Sequence, residues 1–218
     1  VIENGYDEDG FLGASVQQKN VGALQPQRRI TLLHSGVLYT EGRDPSHFFE
    51  AIARLKTSGD INAEKLHVIL RATSDDDHFI ALIKKYKVED IVSLEPSIPY
   101  QEALAEMLAV DGLIIFQGTP FNSQVPAKIY EYFRARKPIL GILDPTGETA
   151  TICRAAGFNH IASLASADDI TPVLDDFIAG IRKGDAYVAT DTVIAASSRQ
   201  HRASELAGLF NQVCGKNG

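Results

Sequence analysis

The sequence predicts an α/β domain on a Rossmann-like, doubly wound parallel sheet of about six strands. Three observations carry that expectation. Short apolar runs between residues 30 and 164 alternate with stretches of helical periodicity. Residues 112–116 are apolar without interruption, the pattern of a strand buried on both faces. With 218 residues, 44% hydrophobic and 22% charged, the chain has the size and composition of one globular unit with its own core.

Each element follows in order. Residues 30–33 are the first strand, closed by His34-Ser35-Gly36. Asp44-Pro45 opens a helix: the aspartate can accept from free N–H groups of the first turn, and proline fits there without losing a bond. Phe48, Ile52 and Leu55 then recur on one face. Residues 66–70 are the second strand, and Phe79, Ile80 and Ile83 mark the next helix. The third strand spans 91–94 and a helix spans 102–109, with Leu104 and Leu108 on one side. After the strand at 112–116, a helix follows Pro126. Residues 138–142 are the fifth strand, 149–156 a helix, 160–164 a short sixth strand and 170–181 another helix. A last helix covers 205–213, within a helix-and-tail segment, 199–218. Residues 1–29 read as a linker or N-terminal extension. Asn4-Gly5 and residues 7–10 are turn signals, and 15–29 have no clear period. The start at Val1, without methionine, points to a domain boundary. The folded unit is then expected over 30–198.

Right-handed crossovers place every strand-to-helix loop on one edge of such a sheet, and ligands bind there. The loops at stake are 36–43, 71–77, 95–100, 117–125 and 144–147. The formal net charge of −7 and the lack of a dense Lys/Arg run argue against nucleic acid as partner. No apolar stretch approaches the ~20 residues that span a bilayer. Cys153 and Cys214 lie far apart, without the spacing of a disulfide framework or zinc site, so a reducing, cytoplasmic setting is expected.

The most informative segment is QGTPFNSQVPAKIYEYFRARKPIL, residues 117–140. N–H groups around Ser123, Gln124 and Val125 would stand at a helix start, where the helix dipole adds positive charge, and that suits a diphosphate. Lys128 and Glu131 share a helix face one turn on. A carboxylate there can accept two hydrogen bonds from a ribose diol. An ordinary loop with a surface Lys–Glu pair fits the same residues.

The string VPAKIYEY with the following RARKPIL resembles the donor-site helix of family-four-type GT-B glycosyltransferases (glycosyl transferases group 1). The opening VIENGYD resembles that family's interdomain linker. Residues 31–45, TLLHSGVLYTEGRDP, are similar to its first strand and glycine loop. Residues 92–104 are similar to its base-binding loop and following helix. The resemblance spans most of the chain, in the expected order. It implies one half of a GT-B fold, the half that holds the nucleotide-diphospho-sugar, with an N-terminal acceptor domain elsewhere in the same protein. It further implies hexosyl transfer that usually retains anomeric configuration, with donors such as UDP-sugars, in polysaccharide synthesis. Neither a cofactor nor an essential metal is implied. Membrane contact would come only through the other half, at the inner membrane face.

The resemblance carries roles residue by residue. Glu131 matches the ribose-binding glutamate. Ser123 stands where the family has a second glutamate near the donor sugar. Gly36 begins the phosphate-binding glycine loop, but Val37 and Gly42 occupy the places of its usual Arg and Lys. Arg43, beside the second place, either supplies the phosphate cation or is a solvated loop arginine. Ser97 and Ile98 fall in the base-binding loop. Asp75-Asp76-Asp77 superficially resembles an Asp-x-Asp metal site, yet Ser74 as helix cap, with acids in a positive first turn, accounts for it. Two other functions stay open: a sugar-nucleotide epimerase of the same fold, and a non-catalytic binding domain that has lost the site.

Overall fold

Strand β1 (Ile30–Ser35) occupies the centre of the sheet, and its neighbours explain the topology. It pairs in parallel with β2 (Leu66–Arg71), from Ile30 opposite Leu66 to Ser35 opposite Arg71. On its other side it pairs with β4 (Gly112–Gln117), at Leu32–Gly112 and Leu33–Leu113. With β3 (Val92–Glu95), β5 (Ile139–Leu143) and β6 (Ile161–Ser163), the order is β3-β2-β1-β4-β5-β6. The order reverses between β1 and β4, so the crevice beyond their carboxyl ends is where such a sheet takes a ligand. This computed structural model describes residues 2–17 and 29–215.

Helices cover both faces. On one, α2 (Ser46–Ser58), α3 (Asp76–Tyr86) and α7 (Ala167–Lys183) pack Phe48, Phe49, Ile52, Phe79 and Phe177 against the strands. On the other lie α1 (Glu8–Gln17), α4 (Tyr100–Ala109), α5 (Lys128–Arg134), α6 (Glu148–Ala155) and α8 (Asp191–Ala196). They contribute Phe11, Leu104, Ile129, Phe133, Cys153 and Ile194 to a second core. All six residues of β4 and all five of β5 are buried, as strands covered on both faces must be. Helix α9 (Arg199–Cys214) buries none of its residues. No described helix is long and apolar enough to cross a membrane.

The expected strands and helices from residue 30 onward are present, with ends shifted by a few residues. Three expectations are corrected. Residues 8–17 are helix α1, where the expectation was a linker or N-terminal extension with a polar break at 7–10 and no clear period from 15 onward. Their periodicity is poor, but Phe11 and Ala14 are fully buried, and Glu8 holds Arg134 of α5 through a bidentate pair at 2.5 and 2.7 Å. Tertiary contact, not local pattern, makes this helix. Residues 18–28 of the same expected linker lie outside the described residues. Second, α8 fills a stretch for which no helix was expected; the Thr190 hydroxyl caps it by accepting from Val193 N–H at 3.3 Å. Third, Ser74 does not cap α3. The cap position is Asp75, and Ser74 takes a left-handed φ of 75°. The Thr73 hydroxyl instead engages Asp76.

Candidate functional site

The carboxyl edge at the β1/β4 crevice is built around one buried imidazole. His34 lies in β1 and is 1% exposed. Its Nδ1 is 3.0 Å from the Ile114 carbonyl of β4. A carbonyl only accepts, so Nδ1 carries the ring proton and Nε2 presents a lone pair. Burial, then the charge of Lys128, holds the imidazole well below its usual pKa, so the ring is neutral. The Nε2 lone pair faces Lys128 Nζ at 3.5 Å. Tyr132 braces the same spot: its hydroxyl accepts from Ser35 N–H at 3.2 Å and lies 3.4 Å from the Ile114 carbonyl.

Lys128 is the first residue of α5, and its ammonium passes over Gly36, just after β1. Gly36 has φ 122°, and a Cβ there would meet Lys128 Nζ at 2.6 Å. The left-handed turn favours glycine, and a side chain there would also push the Lys128 ammonium aside. Burial first, then the charge of Arg43, lowers the Lys128 pKa to about 7; Glu131 opposes the shift. Among the described residues no carboxylate lies within ion-pair distance of Lys128. This is a charged group held in a poor environment for charge, with the neutral His34 ring beside it and no carboxylate in ion-pair distance among the described residues. It is not the surface Lys–Glu pair that the sequence also allowed.

Glu131, one turn on, pairs elsewhere: Tyr100, the first residue of α4, donates its hydroxyl to Oε1 at 2.8 Å. Burial, then that bond, pushes the Tyr100 pKa up to about 12, which keeps the phenol a donor. Oε2 has no hydrogen-bond partner among the described residues. Arg43 is neither a freely solvated arginine nor part of an ion pair among the described residues. Its guanidinium lies 5.2 Å from the ring centroids of both Tyr39 and Phe121. Its Nε is buried without a hydrogen-bond partner, and Nη1 is 3.4 Å from the Val37 carbonyl. A hollow of about 580 Å³ opens beside it, lined in part by Tyr39, Arg43, Phe121 and Gln124.

The loop before α5 differs from its expected form. A 3-10 turn (Thr119–Phe121) intervenes, and α5 begins at Lys128, not directly after Pro126. Gln124 N–H is already given to the Phe121 carbonyl at 2.9 Å, and Ile129 and Tyr130 return theirs to Pro126 and Ala127. Of the three expected amide donors, Ser123 and Val125 have no partner among the described residues. The loop is nevertheless rigidly placed. Gln117 Nε2 donates to the Gln124 carbonyl at 2.7 Å. Asp144 accepts from Thr119 at 2.7 Å, Asn122 at 2.9 Å and the Thr146 hydroxyl at 2.8 Å. Those bonds hold its carboxyl far below the usual carboxylate range. Neither Asp144 nor Tyr100 was singled out in the sequence; only their contacts reveal them.

Ser97 is exposed and Ile98 half-buried, in the loop between β3 and α4. A cleft of about 640 Å³ runs from Val37 past residues 72–77 to Glu95, Pro96 and Ser97. The carboxyl edge thus brings together Gly36, Arg43, Lys128 and Glu131, with Ser97 at one end and Ser123 and Val125 near the other. Among the described residues, no three or more His, Cys, Asp or Glu side chains are grouped to hold a metal ion.

Solved structures share this architecture. A glycosyltransferase from Rickettsia africae superposes with a TM-score of 0.67 at 13% identity, over 98% of this chain and 57% of that one. Sucrose-phosphate synthase from Thermosynechococcus elongatus gives 0.66 at 14%, over 99% and 52%. The C-terminal domain of a glycosyl transferase group 1 family protein from Francisella tularensis gives 0.61 at 16%, over 89% of this chain and all of that one. This is one half of a GT-B fold. The chain spans about half the length of the first two proteins, and it matches a C-terminal domain from end to end. No protein-family model matches the sequence, and no curated protein resembles it. At these identities the GT-B likeness is one of fold, and the chemistry has to be argued from the side chains.

Proposed function

We propose that this domain binds the nucleotide-diphospho-sugar donor of a glycosyltransferase. The observation that carries the reading is the Lys128 ammonium, held over the glycine turn at the sheet crossover with no carboxylate within ion-pair distance among the described residues. A cation in that condition is an anion receptor. Diphosphate oxygens would lie against the Lys128 ammonium at the Gly36 turn, with Arg43 adding positive field and the N–H groups of Ser123 and Val125, unpaired among the described residues, as further donors. Glu131, with Oε2 open, would accept from the ribose hydroxyls. The base would lie along the cleft beside Ser97 and Ile98. Lys128 takes over the role of the cations that Val37 and Gly42 cannot supply. In the reaction these groups would stabilise the departing diphosphate electrostatically, with retention at the sugar and without an essential metal.

A thermal-shift panel of UDP, GDP and ADP, each with and without EDTA, tests the reading. Saturation at about 100 times Kd adds about 2.7 kcal/mol, or roughly 5–10 °C for a domain of this size. The rise is expected with at least one nucleotide and is expected to survive EDTA. No shift with any of them would contradict the reading and favour a domain that has lost its site. Transfer itself needs the acceptor-binding half, because positioning across a two-domain cleft supplies much of the rate. The purified 218-residue chain is therefore expected to bind donor without transferring sugar. Turnover by this chain, free of contaminating enzyme, would contradict that division of labour.

A further inference from the structure

One residue outside those assigned so far links the glycine turn, the base loop and helix α4. Arg71 ends β2, directly opposite Ser35 on one side and Glu95 on the other. Its carbonyl accepts the N–H of Gly36 at 2.9 Å, which fixes the start of the glycine turn. Its guanidinium forms a fork with Glu106 of α4, through Nε–Oε2 and through Nη2–Oε1 at 2.6 Å. The remaining nitrogen, Nη1, donates to the Pro96 carbonyl at 2.6 Å. The Arg71 and Glu106 side chains are only 11% and 19% exposed, so solvent screens this pair far less than an ordinary surface ion pair.

The loop that receives the third bond has few means of holding itself. Two of its four residues, Pro96 and Pro99, have no N–H to donate. Helix α4, gripped by the fork, begins at Tyr100, which in turn holds Glu131. The phosphate turn, the base loop and the brace of the ribose carboxylate all meet at one residue: its backbone carbonyl holds the first, and its guanidinium holds the base loop and α4.

We propose that Arg71 is a positioning residue that sets the distance between the base-binding loop and the phosphate turn. The proposal rests on reading the site as a nucleotide site. It touches no ligand itself, so its loss acts on nucleoside recognition and leaves phosphate recognition intact. The test compares UDP and GDP with inorganic pyrophosphate by calorimetry on the wild-type chain and on Arg71→Met, Arg71→Lys and Arg71→Met/Glu106→Gln. The double variant removes the half-buried carboxylate that Arg71→Met leaves unpaired, and so keeps the comparison possible if the single variant folds poorly.

In both Met variants nucleoside-diphosphate affinity is expected to fall about ten-fold or more, with pyrophosphate affinity unchanged within about two-fold. Arg71→Lys, which can keep one bond of the three, is expected to recover part of the loss. A parallel fall for both ligands would mean general damage and overturn the positioning role. Unchanged affinity for both would overturn it too. Those outcomes leave the nucleotide reading standing, whereas a wild-type chain that binds none of the nucleotides overturns that reading and this proposal together.

Discussion

Lys128→Met is expected to raise the melting temperature of the unliganded domain and to remove most of its nucleotide binding. The two effects have one cause. Lys128 is half-buried, and the folded protein strips enough water from its ammonium to lower the pKa to about 7, so the charge is destabilising there. Replacing a poorly compensated, half-buried charge by an apolar chain of similar length is expected to recover about 1–2 kcal/mol, and each kcal/mol moves the midpoint by roughly 2–4 °C. A charge-assisted hydrogen bond to phosphate contributes about 1.5–3 kcal/mol, so binding is expected to weaken about ten- to hundred-fold. Scanning calorimetry and titration on the two proteins check both halves.

The pH dependence follows from the same shift. The pKa of Lys128 is lowered on folding, so between pH 7 and its ordinary value of 10.5 the unfolded chain binds more protons. This group therefore makes the unliganded fold more stable as pH rises through that window, and the penalty is complete below pH 7. Ligand affinity moves the opposite way. Phosphate requires the ammonium, so binding is strongest below pH 7 and is expected to fall by up to about ten-fold per pH unit above it. A flat profile between pH 6 and 9 in wild type would remove Lys128 from the site, as would equal affinity in Lys128→Met.

Much of the fold was legible in the sequence because sheet and helices follow hydrophobic period, and the period is strong from Ile30 onward. What was not legible depends on partners distant in the chain. Helix α1 exists because Phe11 and Ala14 find the second core and Glu8 finds Arg134, 126 residues away. The site shows the same division. Gly36, Lys128 and Glu131 were named from loop position, helix spacing and the family resemblance. The sequence could not reveal that Lys128 turns inward over Gly36, or that Tyr100 takes one oxygen of Glu131. Nor could spacing show that Gln124 N–H is already engaged by Phe121, which withdraws one expected phosphate donor. Arg43 was left between two roles by its sequence neighbours. Its place between Tyr39 and Phe121 makes it a held cation whose field reaches both Lys128 and His34.

The claim that this edge reads a nucleotide, rather than any anion, rests most directly on Glu131. A hydrogen bond from a ribose hydroxyl to a carboxylate is worth about 1.5–3 kcal/mol, so Glu131→Ala is expected to weaken nucleoside-diphosphate binding by about ten-fold or more. The 2′-deoxy nucleotide is expected to bind wild type less well for the same reason. Loss of Glu131 also frees the Tyr100 hydroxyl, so the single variant alone mixes two effects. The decisive measurement is the coupling between the two changes, read by titrating ribo- and 2′-deoxyribonucleoside diphosphates into wild type and Glu131→Ala. If Glu131 holds the ribose, removing the hydroxyl costs wild type its bond and costs the variant almost nothing. Equal losses in the two proteins would contradict the account and show that Glu131 does not touch the ribose.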